Sequence, residues 1–312
     1  YASLKVNDGE LINQGIEFDF DFKILNKGDF KLSAGINGEK FSNKLMALPI
    51  DPVTGEQQKF SVSGLYGNES GRSLFDYYTK EYTGVNPTTG AAEWTAYFED
   101  KNNDGKFNTG DVRINSLTPY VNDNPEANIQ SEKTDVYANA TNKFLNKSII
   151  PDVRGAFRLN ASFKNFNLST LFNYQLGGWA YDSAYATLMG NGYAGTNNFH
   201  VDIRNRWRQE GDVTDVPRQD AALQIQQNSS SSRFLTRSDF IALNNVRLGY
   251  NVPKSVANKL GLDNADLYIT GDNLWLASKR KGFNPSTSIT GGTGIYTYNP
   301  LSTLVFGLNV KL

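Results

Sequence analysis

Gly15-Ile-Glu-Phe-Asp-Phe-Asp-Phe-Lys-Ile24 sets Ile16, Phe18, Phe20, Phe22 and Ile24 strictly between Glu17, Asp19, Asp21 and Lys23. A period of two is that of a β-strand, with one apolar and one charged face. In an ordinary soluble sheet the Phe-rich face meets a core and the charged face meets bulk water. In a membrane barrel the assignment is reversed: aromatics meet lipid and charges line the interior. The remaining strands and their connections bear on that choice.

The same alternation recurs. After a short tip at Asn26-Lys-Gly-Asp29, Phe30, Leu32, Ala34 and Ile36 alternate with Lys31, Ser33, Gly35 and Asn37. A second hairpin follows, turning at Lys164-Asn165: Val153, Gly155, Phe157, Leu159, Ala161 and Phe163, then Phe166, Leu168, Phe172, Tyr174 and Leu176. Three further segments complete the set. Phe240, Ala242, Val246, Leu248, Tyr250 and Val252 read as one face of a strand that ends before Pro253. Ala265 to Trp275 alternates less cleanly, since Asn273 falls on the side of Leu267 and Ile269, as a bulge or the membrane boundary would produce. Leu304, Phe306, Leu308, Val310 and Leu312 form the last.

These are about seven strands of roughly 10 to 14 residues, near the length that crosses a tilted bilayer and longer than globular strands. Their connections alternate short and long, as in barrels with tight periplasmic turns and large outer loops. The expected layout is a loop remnant at 1–14, a barrel hairpin at 15–44, and a long extracellular loop at 45–152. A hairpin at 153–176 and an extracellular loop at 177–239 follow, the latter with a short helix over Val201 to Gln209. Strands at 240–276 joined by a periplasmic turn, an extracellular loop at 277–300 and a C-terminal strand at 301–312 complete it. The fold class is all-β: about seven antiparallel strands of a transmembrane β-barrel with long extracellular loops. An odd set cannot close without unpaired edges, so the barrel must be completed by something missing from this sequence. Tyr1 to Glu10 carry no Met start, basic n-region or apolar h-region, which fits either a mature chain or an internal piece, and the strand count favours a piece.

Composition narrows the function. The 312 residues carry a net charge of -1, which gives no electrostatic reason to expect nucleic acid. No apolar run reaches the roughly 18 residues of a spanning helix. Cysteine is absent and His200 is the only histidine, which removes thiolate zinc sites, cysteine nucleophiles and histidine-clustered metals. His200 reads as a solvated loop residue. Acidic pairs such as Asp19 and Asp21 have nothing beside them that marks glycosidic catalysis. Gly291-Gly-Thr-Gly294 lacks the Lys-Ser/Thr of a phosphate loop. No enzyme is expected.

Two local features are candidate sites. Asp100-Lys-Asn-Asn-Asp-Gly-Lys-Phe-Asn-Thr-Gly-Asp111 places oxygen ligands at Asp100, Asn102, Asp104, the Lys106 carbonyl, Asn108 and Asp111, with Gly105 at the turn. That spacing of hard oxygens suits a structural Ca²⁺. The alternative is an ion-free loop of Asx turns. Trp94 and Trp179 are candidates to stack on substrate sugar rings, against a packing role. Trp207 and Trp275 read as loop-packing and membrane-interface residues.

The sequence also resembles a known family, the SusC/RagA-like TonB-linked outer-membrane transporters of Bacteroidetes. The matching stretches are Asn13-Gln-Gly-Ile-Glu17, Gly84-Val-Asn-Pro-Thr-Thr-Gly90, Phe172-Asn-Tyr-Gln-Leu-Gly-Gly178, Arg206 to Pro217, Leu243 to Tyr250 with Pro253, and Gly271-Asp-Asn-Leu274. Glu210 replaces the family's usual proline before Gly-Asp, and Leu312 its usual terminal aromatic. The resemblance implies the C-terminal portion, about a third, of a large plugged transmembrane β-barrel in the outer membrane of a Gram-negative bacterium, with a missing N-terminal barrel and plug needed for closure. It also implies TonB acting through the missing N-terminal region, a SusD-like surface lipoprotein partner, and import of oligosaccharides or peptides. A passive porin or adhesin barrel and a soluble carbohydrate-binding β-sandwich are the rival readings.

Overall fold

The computed structural model describes residues 8–190, 198–220, 226–287 and 298–312; the Gly291 to Gly294 stretch lies outside them. Seven long strands form one antiparallel sheet in chain order: β1 (Glu10–Lys27), β2 (Phe30–Ala47), β3 (Val153–Phe163), β4 (Phe166–Leu176), β5 (Phe240–Asn251), β6 (Asn264–Ser278) and β7 (Thr303–Lys311). β1 and β7 are its two edges, so the sheet is an open segment of wall. The ladder starts at Glu10, inside the stretch expected to be a loop remnant.

The tight turns lie together at one end and are stitched to one another. The Lys164 amide donates to the Asp29 carbonyl at 3.1 Å, Asn251 to Asn165 at 2.8 Å, and Asp263 to Lys311 at 2.8 Å. The three long excursions leave from the opposite end.

Cross-strand register sorts the side chains. Phe20, Ile36, Phe157, Phe172, Leu243 and Trp275 form one row of the apolar face. Asp21, Gly35 and Arg158 form a row of the polar face. Nearest the tight turns, Phe30, Phe163, Phe166 and Tyr250 make a continuous aromatic row, with ring pairs 6.5 Å and 4.8 Å apart. An aromatic row closing an apolar band is the signature of a membrane–water interface. Nothing among the described residues covers this face: Ile16 is 74% exposed, Phe20 and Phe22 54% and Phe306 78%. Long adjacent strands with a bare apolar face do not make a sandwich, whose two sheets bury their apolar faces against each other.

One strand differs from the expected phase. The register slips between Leu243 and Asn245, opposite Asn273 with φ 52°, which identifies a bulge at this point. Val246, Leu248 and Tyr250 therefore stay on the apolar face while Phe240 and Ala242 pair with Gln175 and Asn173 on the polar one. The bulge moves Phe240 and Ala242 off the row on which simple alternation places them.

The buried core lies above the sheet, in the excursions. The stretch expected as a long extracellular loop between β2 and β3 folds into two small sheets: Asn142–Ser148 with Asp76–Lys80, Tyr66–Glu69 and Phe60–Ser63, and a second centred on Ala92–Glu99. The excursion between β4 and β5 packs on it through Tyr77, Ile149 and Leu235. Its expected helix over Val201 to Gln209 is a single 3-10 turn, Val201–Asn205. The chain becomes extended at Arg206 because Trp207 is pulled onto the neighbouring excursion. The Trp207 amide donates to the Val216 carbonyl at 2.9 Å and its indole to the Pro87 carbonyl at 3.1 Å.

If the apolar face meets lipid, arginine at Phe20 costs about 2–4 kcal/mol near the membrane midplane while arginine at Asp19 is tolerated. Heat-modifiable gel migration of the full-length protein should show loss of folded barrel for Phe20→Arg and retention for Asp19→Arg; equal tolerance would return the sheet to an aqueous setting.

Candidate functional site: the polar wall beneath the cap

The polar face of β1 to β5 bears an open cavity of about 790 Å³ lined by Glu17, Asp19, Glu39, Arg154, Asn173 and Gln175 among others, with Pro285 and Ser286 of the third excursion at its margin. Alternation delivers these residues, since every second side chain of five adjacent strands points here. Arg154 pairs with Glu39. Arg158 bridges two carboxylates of β1, Asp21 at 2.6 Å and Asp19 at 3.2 Å. Gly35, between them in register, leaves the room: a Cβ there would run into the guanidinium and into Asp21. Further along, Arg247 meets Asp266 at 2.8 Å and lies over the Tyr268 ring, and Asn245 donates to Asp272 at 2.6 Å. Among the described residues this wall presents charges, amides and hydroxyls, and no nucleophile paired with a base. Such groups can hydrogen-bond polar solutes. Asp19 and Asp21 were legible as polar-face residues; the roles of Glu39, Arg154 and Arg158 become visible only with cross-strand register.

Above the wall, three excursions form the cap. The carboxylate of Asp239, just before β5, accepts from the Gly177 amide at 2.6 Å and from both ends of the Arg237 fork at 3.0 and 3.1 Å. The Arg237 hydrogen bond, with help from the Gly177 amide, holds its carboxyl below the usual range. A depressed carboxylate contributes stability above its unfolded pKa, near 4, and loses it as pH falls through the folded value. The third excursion is tied to the second by the ion pair of Arg280 with Asp182, and the guanidinium stacks 3.6 Å from the centre of the Tyr185 ring. Tyr185 donates to Asp202 at 2.8 Å, and burial first, then that bond, pushes its hydroxyl up to about 12. His200, expected as a solvated loop residue, packs edge-on against Tyr185 with ring centres 4.8 Å apart, and its Nδ1 accepts from the Asp202 amide.

The candidate tryptophans take packing positions. Trp94 is fully buried against Ala92, Ala140, Tyr82 and Tyr137, so of its two readings it takes the packing role and offers no face to a sugar. Trp179 is half-buried at the base of the cap with Lys147 Nζ 4.5 Å from the centre of its ring. Trp275 stands half-exposed on the apolar face.

The 100–111 loop closes on itself. Asp100, almost fully buried, accepts from the amides of Asp104 and Gly105 at 3.3 and 2.8 Å. Asp111 accepts from Asn108 and Lys101, and Asp104 from Lys106 and from the side-chain amides of Asn102 and Asn108. The Lys106 carbonyl takes the second Asn108 proton at 3.2 Å. All six expected ligands thus lie in one small loop. Among the described residues no three acidic, histidine or cysteine side chains are gathered to hold a metal by themselves.

Gly90, with φ 70°, sits under the Trp207 ring, and a Cβ there would enter the ring. Strain plus overpacking makes Gly90→Ala cost about 3 kcal/mol. Limited proteolysis should show a faster cut cap for that variant and a smaller change for the exposed Gly64→Ala, which shares the positive φ but whose Cβ meets open space.

No family model matches the chain. In sequence it is similar to two proteins of Formosa agariphila: TonB-dependent receptor P3, 26% identical over 321 residues, and TonB-dependent receptor P39, 24% identical over 334. The matches cover 98% and 100% of this chain and 29% and 31% of those receptors, so the chain spans about three-tenths of their length. In fold it is similar to the RagAB peptide transporter, with a TM-score of 0.72 and 21% identity over 97% of this chain and 29% of that one. The RagAB peptide importer in its closed-closed and open-open states gives TM-scores of 0.71 and 0.67. The resemblance to the SusC/RagA-like TonB-linked outer-membrane transporters therefore runs the whole length of the chain, in sequence with TonB-dependent receptors and in fold with RagAB.

Proposed function

We propose that this chain is the C-terminal part of the barrel of a TonB-dependent outer-membrane importer of oligosaccharides or peptides, working with a SusD-like lipoprotein seated on the cap. One observation carries the reading: a sheet with a bare apolar face has, on its other face, a polar cavity beneath a folded cap. The apolar face meets the bilayer, the polar face meets substrate and plug, and the cap offers a rigid platform at the outer mouth. No bond is made or broken; substrate binds and is released inward when TonB acts through the N-terminal region. The bare apolar face speaks for a barrel over a soluble sandwich, and the similarity to TonB-dependent receptors favours an energised importer over a passive pore. Cells carrying the full-length protein should accumulate labelled oligosaccharide or peptide only while TonB is present. Uptake that persists without TonB would make the barrel a passive pore, and no uptake of either class would remove the substrate assignment.

We also propose that the 100–111 loop takes a structural Ca²⁺. The support is the clustering of Asp100, Asn102, Asp104, the Lys106 carbonyl, Asn108 and Asp111. Turning the Asn102 or Asn108 amide by half a turn puts an oxygen where its nitrogen now meets Asp104. The ion would stiffen a loop that hangs between two strands of the cap, Ala92–Glu99 and Val112–Ile114. Calorimetric titration with Ca²⁺ should give heat that Asp104→Ala abolishes, and a flat titration of the unaltered protein would leave an ion-free loop of Asx turns.

A further inference from the structure

The outward face of β2 changes character along its length. Leu32, Ala34, Ile36 and Gly38 face the apolar side; then Lys40 and Lys44 appear on the same side, with Ser42 between them. Register places Ile16 beside Lys40 and Ile12 beside Lys44, and all four are exposed. The opposite side of this stretch is covered by the cap: Asn43 accepts from the Leu74 amide and Ser73, and the Leu45 amide donates to Arg72. Neither lysine has a carboxylate within ion-pairing reach among the described residues.

Height decides what these lysines meet. Measured from the aromatic row at Phe30, Lys40 is ten residues along the strand and Lys44 fourteen. At roughly 3.4 Å per residue and about 40° of tilt, they stand ~26 Å and ~36 Å above that row. The apolar band of a barrel is about 25 Å tall, and the headgroup layers bring the whole bilayer to about 40–45 Å. Lys40 thus lies at the upper rim of the hydrocarbon and Lys44 within the headgroup layer, on the side of the cap. Exposed isoleucines beside them suit acyl chain and glycerol-level contact, while the ammonium groups reach phosphate depth.

We propose that Lys40 and Lys44, with Ile12 and Ile16, form a docking surface for the phosphate groups of an anionic glycolipid in the outer leaflet. The assignment rests on the reading that the cap faces outward. Each lysine at such a surface contributes about 1 kcal/mol, so the pair corresponds to roughly 30-fold in affinity.

The test uses the full-length protein, purified in detergent, with lipid A and dephosphorylated lipid A as probes. Lipid A should bind the unaltered protein roughly 30-fold more tightly than it binds the Lys40→Ala/Lys44→Ala variant. Lys40→Arg/Lys44→Arg should restore binding, dephosphorylated lipid A should not discriminate, and inorganic phosphate should not compete, because the isoleucines require an acyl chain. Equal binding of lipid A by the unaltered and alanine proteins overturns the proposal, as does equal binding of the two lipids. Competition by inorganic phosphate would assign the lysines to free anions and likewise overturn the lipid. Orientation is read separately by Val53→Cys, a cysteine added at a highly exposed cap position, with the unaltered full-length protein as the labelling background. Labelling by an impermeant maleimide on intact cells supports the outward cap, and its failure sinks the orientation independently of the lysines.

Discussion

The ladder of main-chain hydrogen bonds from β1 to β7 governs everything else in this structure. In hydrocarbon an unpaired N–H or C=O costs several kcal/mol, so a strand that crosses lipid needs a partner on each side. Five of the seven strands have two; β1 and β7 have one each. The segment is consequently a wall, and its two bare edges define where the remainder of a barrel pairs. The same ladder fixes the faces, because side chains in one register row share a side. Asp19, Asp21 and Arg158 meet across three strands only because β1, β2 and β3 pair without slip between Asp19 and Asp21.

Much of the wall was legible in the sequence because the alternation there is long and directly coupled to burial. Phe18-Asp-Phe-Asp-Phe22 offers only one way to put like with like. The legibility fails where the ladder itself is irregular. Asn244 and Asn273 carry no side-chain signal that a residue is being inserted, and the phase of Phe240 and Ala242 depends on partners in β4 that lie some seventy residues away. A bulge is a property of two strands, and one strand read alone cannot show it.

The cap was not legible for a different reason. Its strands run from three to eight residues, too short for a period to declare itself, and their partners are distant in sequence: Asn142–Ser148 pairs with Asp76–Lys80. Trp94 illustrates the consequence. An aromatic in a Gly- and Asn-rich stretch looks like a recognition residue until Tyr137 and Ala140 are seen to close over it. The 100–111 loop was readable as one unit because the hydrogen bonds among Asp100, Asn102, Asp104, Asn108 and Asp111 stay within twelve residues, whereas its ties to Asn128 carry no local signal. Similarly, the aromatic and helical pattern around Trp207 suggested a helix; the pull of Pro87 and Val216, from other segments, overrides that local preference.

Wall and cap meet at the third excursion. Asp182 is almost fully buried, caps the helix Ser183–Leu188 by accepting from the Tyr185 amide at 2.8 Å, and pairs with Arg280. A buried ion pair contributes little net stability, because desolvation of both ions offsets their attraction, yet loss of one partner leaves a stranded charge worth about 3–5 kcal/mol. Such a pair therefore acts as a positional constraint: the excursion sits where Arg280 reaches Asp182 or it sits at a heavy cost. Phe283 and Asn284, buried three and four residues on, extend that constraint to Pro285 and Ser286 at the margin of the polar cavity. The opening between cap and wall is thus set by chemistry on the second excursion, outside the wall that lines it.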